Sequence, residues 1–187
     1  MKRLRLDMQA YELGGCFSLT LTAAGRRRLF HDEHLVDLCL NELRQAGSRY
    51  KATVYAYCFM PDHLHLLAAV PEGTSLLQFV RHFKQLTAYR FRRLPEHRNE
   101  ALWQPRFYDH ALRKEEDINR VALYIWGNPV RAGLASDWQQ YPYWGSLVWS
   151  RRVLSGSEDP DLQQHAAAMG QQQNVGEGLQ TLAKASQ

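Results

Sequence analysis

The sequence predicts an α+β fold, an antiparallel sheet with helices packed on it, from three observations. Stretches of strand composition and stretches of helical period follow one another in the order β-α-β-β-α-β-α. The second and third strands are consecutive, joined only by the turn Met60-Pro61-Asp62. The helical stretches carry apolar residues at helical spacing, which gives each a face to lay on a sheet.

Taken in order, Cys16 to Thr22 has strand composition. Residues 31–46 form a helix, with Leu35, Leu38, Cys39 and Leu43 on one face and Gly47 as its expected stop. Tyr50 to Phe59 is β-branched and aromatic, a strand, and His63 to Val70 is the strand after the turn, closed by Pro71 and Gly73. Thr74 or Ser75 caps a helix through Leu76, Phe79, Val80, Phe83 and Leu86 to about Arg93. Pro95 to Asn99 reads as loop and Phe107 to Arg113 as a short strand. A last helix starts at the acidic run Glu115-Glu116-Asp117, which suits the positive end of a helix dipole, and buries Ile118, Val121, Ala122 and Ile125. This order is ferredoxin-like in kind.

Composition sets bounds on function. With 187 residues, 45% of them hydrophobic and 22% charged, the chain has the balance of a globular protein with one core. No apolar run approaches the roughly 20 residues that span a bilayer, and the basic start Met1-Lys2-Arg3-Leu4-Arg5 leads into no apolar segment, so a cytoplasmic protein is expected. Cys16, Cys39 and Cys58 are odd in number and widely spaced, which supports neither a disulfide framework nor a zinc finger. The last 37 residues hold three Lys/Arg and four Asp/Glu, leaving 20 basic and 15 acidic residues in the first 150. The positive excess therefore sits in residues 1–150, the expected catalytic domain. Residues 151–187, rich in Gln, Ser, Gly and Ala, read as a polar, disordered tail.

The most informative stretch is Met60-Pro61-Asp62-His63-Leu64-His65-Leu66-Leu67. On a strand His63 and His65 share a face, about 7 Å apart along the chain, and their imidazoles can converge on one ion. Leu64 and Leu66 then point into the core. On the last helix Tyr124 and Asn128 are four residues apart and lie one above the other. Helix geometry leaves two readings for them, an amphipathic boundary with a C-terminal Asn, or a phenol and an amide offered to the histidine pair. Pro129 restricts Asn128 and is expected to end that helix.

Basic residues supply the partner. Arg26, Arg27 and Arg28 cluster, Arg81, Lys84 and Arg90 lie on the second long helix among His82, Tyr89 and Phe91, and Arg106, Arg120 and Arg131 flank the histidine and tyrosine segments. Cations for phosphates with aromatics for bases suit single-stranded nucleic acid; a solvated basic helix face is the other reading. His110 beside Asp109 reads as a structural pair.

The His63-Leu64-His65 stretch resembles the His-hydrophobe-His (HUH) motif of single-tyrosine, IS200-like transposases. Phe79 to Lys84, Leu102 to His110 and Tyr124 to Leu134 are similar to segments of the branch called REP-associated tyrosine transposases. The resemblance covers roughly residues 10 to 150. It implies an RRM-like sheet with both histidines on a central strand and a divalent metal, Mg²⁺ or Mn²⁺, on His63, His65 and Asn128, where relatives carry Gln or His. It further implies Tyr124 as nucleophile, forming a 5′-phosphotyrosine link with release of a 3′-OH. The implied substrate is single-stranded DNA with REP-type palindromes folded as hairpins, handled by a monomer or homodimer in the bacterial cytoplasm. A two-histidine phosphoesterase would need a second His-x-Thr/Ser motif, which none of His31, His34, His82, His97 or His165 supplies. A non-catalytic, RRM-like nucleic-acid binder derived from a transposase is the competing reading.

Overall fold

A computed structural model describes residues 11–113 and 117–150. Glu115, Glu116 and the expected tail lie outside the described residues. Five strands, β1 (Gly15–Thr22), β2 (Thr53–Met60), β3 (His63–Val70), β4 (Tyr108–Ala111) and β5 (Trp144–Gly145), form one sheet in the order β4-β1-β3-β2-β5. Every neighbouring pair runs antiparallel. The first four strands with α1 (Glu33–Tyr50) and α2 (Leu76–Phe91) make the ferredoxin-like unit that the element order predicts, and β1 and β3 are its centre. The α+β expectation therefore holds, with β5 added at an edge.

Alternation on the strands sorts side chains onto two faces. Phe17, Leu19, Leu21, Leu64 and Leu66 point to one face and are buried beneath α1 and α2, against Leu35, Cys39, Phe79 and Phe83. Burying each such side chain contributes about 1.5–3 kcal/mol, so this layer holds the fold. β2 keeps pace only because the register slips between Val54 and Ala56, which returns Val54, Tyr57 and Phe59 to the core face. The opposite face carries Ser18, Thr20, Thr22, Ala56, Cys58, His63, His65 and Leu67, and only part of it is covered, by α3 (Ile118–Trp126), which packs on β2 and β3.

Several expectations shift. Gly47 does not stop α1; the helix runs another turn to Tyr50 and ends on Lys51, whose φ of 50° is left-handed. Gly47 is needed for a close approach instead, since a Cβ there would lie 3.3 Å from the Ala52 carbonyl. The strand expected over Phe107 to Arg113 shrinks to Tyr108–Ala111. α3 starts at Ile118, with Asp117 as N-cap accepting from the Asn119 amide. Its buried residues are Ala122, Leu123, Ile125 and Trp126, while Ile118 and Val121 are only half buried. Trp126 explains the rotation. It donates to the Gly145 carbonyl of β5 (3.0 Å), stacks on Trp138 and meets Trp144 and Trp149 edge-on, forming a second, aromatic core on the α3 side.

Candidate active site

Strand pairing builds a row of side chains across the partly open face. Tyr108, Thr20, His65 and Cys58 are cross-strand partners in turn, and Thr22, His63 and Met60 form the next row. His63 and His65 therefore share a face as their spacing predicts, and their rings meet at 86° with Nε2 to Nε2 at 3.0 Å. Each ring is oriented from behind. His63 Nδ1 lies 2.6 Å from Asp62 Oδ1, and His65 Nδ1 lies 3.1 Å from Thr20 Oγ1. With both Nδ1 atoms protonated, two Nε2 lone pairs face each other, an arrangement that is favourable only with a cation or proton between them.

That separation fits a metal. Two imidazoles at about 2.1 Å from one ion stand about 3.0 Å apart when they subtend a right angle. Asp62 and Thr20 are the outer hydrogen-bond partners that metal-bound histidines need to hold tautomer and ring orientation. Burial holds His65 near pKa 3, aided by electrostatic interaction with His63 and Arg131 and opposed by Asp62, so its imidazole is neutral and able to ligate at neutral pH. Asp62 is held below the usual carboxylate range: burial would raise it, but the hydrogen bond and charge of His63 and the charge of Arg26 outweigh that. Among the described residues no group of three His, Cys, Asp or Glu could hold a metal.

Tyr124 stands exposed on α3, with 55% of its surface open to solvent. α3 ends at Trp126, and α4 (Asn128–Arg131) follows with Pro129 in its first turn, as the proline predicts. Proline has no amide hydrogen to give the Ile125 carbonyl four residues back, and the Asn128 Nδ2 group donates there instead (2.9 Å), as well as to the Tyr124 carbonyl (3.3 Å). The Asn128 amide nitrogen is thus committed to the helix end, which leaves its Oδ1 as the atom free to meet a cation. Arg131 folds back over Tyr124, its guanidinium carbon 3.9 Å from the ring centroid.

Residues 17–128 match the family model described as Transposase IS200 like. The chain belongs to the IS200-like transposases. It is 27% identical over 137 residues to the REP-associated tyrosine transposase of Escherichia coli K12, covering 71% of this chain and 77% of the relative. A Haemophilus influenzae protein given that designation provisionally is 25% identical over 139 residues, covering 70% and 78%. Among solved structures, a REP-associated tyrosine transposase bound to a REP hairpin superposes with a TM-score of 0.63 at 23% identity, over 77% of this chain and 82% of that one. The shared fold is the one described above.

Within this IS200-like transposase the basic residues divide sharply. Arg28, Arg81, Arg106 and Arg120 are exposed and make no ion pair among the described residues. The others already have partners within the protein, which a phosphate would have to share or displace. Arg90 pairs with Glu42, a carboxylate buried between α1 and α2. Lys84 donates to the carbonyls of Gln104 (2.7 Å) and Pro105 (3.1 Å), pinning that segment to α2. Arg27 binds Glu100 and the Ala101 carbonyl, each at 2.5 Å, and Arg26 reaches Asp62 at 3.3 Å. Asp109 accepts from Tyr11 (2.7 Å) and, as strand neighbours do, faces the side of the sheet opposite to His110. Thr20 is not legible as a site residue in the sequence, because it lies 45 positions from the ring it orients. No helix among the described residues is long and apolar enough to cross a membrane.

Proposed function

We propose that this transposase nicks single-stranded DNA beside REP-type palindromic hairpins and rejoins strands through a 5′-phosphotyrosine at Tyr124. The observation that carries this reading is the pair of Nε2 atoms, 3.0 Å apart and oriented from behind, on a sheet face that α3 leaves open. His63, His65 and the Oδ1 of Asn128 would hold Mg²⁺ or Mn²⁺, which when bound neutralises charge on the scissile phosphate. The hairpin substrate follows the relatives' names. The exposed Arg28, Arg81, Arg106 and Arg120 supply the positive surface it needs.

The residues perform distinct tasks. Asp62 and Thr20 fix the imidazoles, so the ligand geometry is set before DNA arrives. Tyr124, exposed and held at its ring face by Arg131, presents its hydroxyl to the phosphate. The Tyr124 Oη–phosphorus bond forms as the bond from phosphorus to the 3′ oxygen breaks; the phenol proton leaves to solvent and the departing 3′ oxygen gains one. The phosphodiester energy is kept in the tyrosyl ester, so attack by another 3′-OH reverses the step and joins strands.

The test is incubation of a hairpin with single-stranded flanks and Mn²⁺ or Mg²⁺, scored for a covalent protein–DNA band. Wild type forms it and Tyr124→Phe does not, while still binding the hairpin. Tyr108 is also exposed and lies on the same row as His65, two strands away, so Tyr108→Phe is the essential control. A band that survives Tyr124→Phe and vanishes with Tyr108→Phe moves the nucleophile to β4. Absence of any band with intact binding would make the protein a binder derived from a transposase.

A further inference from the structure

We infer that Arg131 is the positioning residue of Tyr124, and that Gly127 exists at its position to let it act. The inference rests on the reading of Tyr124 as nucleophile and assigns it a device. Tyr124, Gly127, Asn128 and Arg131 stand at spacings of three, four and seven, one stripe that runs through α3 and on into α4. Arg131 does not extend into solvent as a phosphate contact would. Its guanidinium turns back toward a residue about two turns earlier, lies 3.9 Å from the Tyr124 ring centroid and donates through Nη2 to the Tyr124 backbone carbonyl. One side chain thus grips the tyrosine at two points, the carbonyl that α3 leaves open at its end and the face of the ring.

The grip needs a glycine beneath it. A Cβ on Gly127 would lie 2.8 Å from Arg131 Nη1 and 3.3 Å from the Leu123 carbonyl. The backbone at Gly127 is ordinary, with φ −73° and ψ −5°, so the glycine is required for space and not for conformation. Because the clashing atom is the far end of a flexible side chain, an alanine there displaces the guanidinium and spares the helix. Asn128, the other member of the stripe, caps Tyr124 and Ile125 from its own side. With one ring face covered and its backbone carbonyl capped, Tyr124 is held in place while its side chain stays open to solvent.

The experiment measures single-turnover formation of the covalent adduct on a flanked hairpin with Mn²⁺, for Arg131→Gln, Gly127→Ala and the double variant, with thermal melts of each. A misplaced nucleophile costs on the order of 100-fold in rate. Both single variants are expected to slow the step by about that factor, with the half-saturating DNA concentration unchanged. The double variant is expected to be no slower than either single one, because both remove the same grip. In the Tyr124→Phe background, adding Arg131→Gln is expected to leave hairpin affinity and its salt dependence unchanged. Full-rate adduct formation by Arg131→Gln overturns the inference. A salt slope lowered by about 0.7–0.9 also overturns it, since Arg131 would then be a phosphate contact. An adduct that persists in Tyr124→Phe defeats the nucleophile reading itself, a separate result from an inactive Tyr124→Phe beside fully active Arg131 variants.

Discussion

The two faces of the sheet are made from the same strands yet obey opposite rules. On the α1–α2 face the strand residues of the core are buried and, Tyr57 apart, wholly apolar, and β2 even slips its register to stay in step. On the α3 face, Leu67, Ala56 and Cys58 are buried beneath one short helix, but Thr20, Thr22, His63 and His65 stay at the edge of that cover. Leu64 and Leu66 alternate with His63 and His65 along one strand, so a single run of sequence serves both faces. The difference teaches that strand parity separates the stabilising core from the proposed chemistry. A substitution should therefore strike one and spare the other.

The largest effect expected from that division is at the histidines. His63→Ala or His65→Ala should reduce covalent adduct formation by at least about 1,000-fold, as loss of a charge-stabilising site does, while the melting temperature stays close to wild type. A large fall in melting temperature for either would mean that the polar face also holds the fold. Next in size is the reverse case. Leu66→Ala, on the same strand but fully buried, should cost about 2–5 kcal/mol of stability and leave the folded fraction active. Arg90→Ala belongs with it, because it strands the buried Glu42 without its ion pair; denaturant midpoints should drop while hairpin affinity holds.

Parity was legible in the sequence, and that is why the histidine pair, the β2–β3 hairpin and the ferredoxin-like order could be read from it. Period-two alternation is a local property, set by residues next to each other. What escaped was fixed over longer distances. β5 has only two residues, too few for a pattern, and is held by the Trp126 indole. Gly47 looked like a helix stop because the Ala52 carbonyl that presses on it is set by the turn beyond the helix. Arg90 and Lys84 share the exposed composition of Arg81, and only the packing of α1 and of residues 104–105 against α2 shows that they are engaged. Arg131 folds back from α4 onto Tyr124 of α3, which no propensity encodes.

The boundary between the faces can also be probed by pH. Burial holds His65 near pKa 3 against an ordinary 6.5. The unfolded chain therefore takes up a proton, between those values, that the folded protein refuses, so stability is lost as pH falls below about 6.5. Metal-free protein should lose about 1.4 kcal/mol from this group between pH 7.5 and 5.5, or about 3–5 °C in melting temperature for a chain of this size. His65→Asn should flatten that part of the profile. An identical slope in wild type and variant would place the ring in contact with water and remove the argument that it stays neutral.

The smallest effect concerns the surface that neither face buries. Arg106 is exposed and free of ion pairs among the described residues, in a segment that Lys84 pins in place. Tethering the chain nearby means that a phosphate contact from Arg106 costs little ordering entropy, whereas Arg90 would first have to abandon Glu42. Arg106→Ala should therefore reduce the slope of log K against log salt by about 0.7–0.9, the value of a single phosphate contact. Affinity for hairpins of different sequence should fall by the same factor, because a phosphate contact carries no base information. Anisotropy titrations at several salt concentrations on two unrelated hairpins measure both quantities. An unchanged slope, or a loss confined to one hairpin sequence, would show that Arg106 is either solvated or reading bases, and that exposure alone does not mark the phosphate-binding side of the molecule.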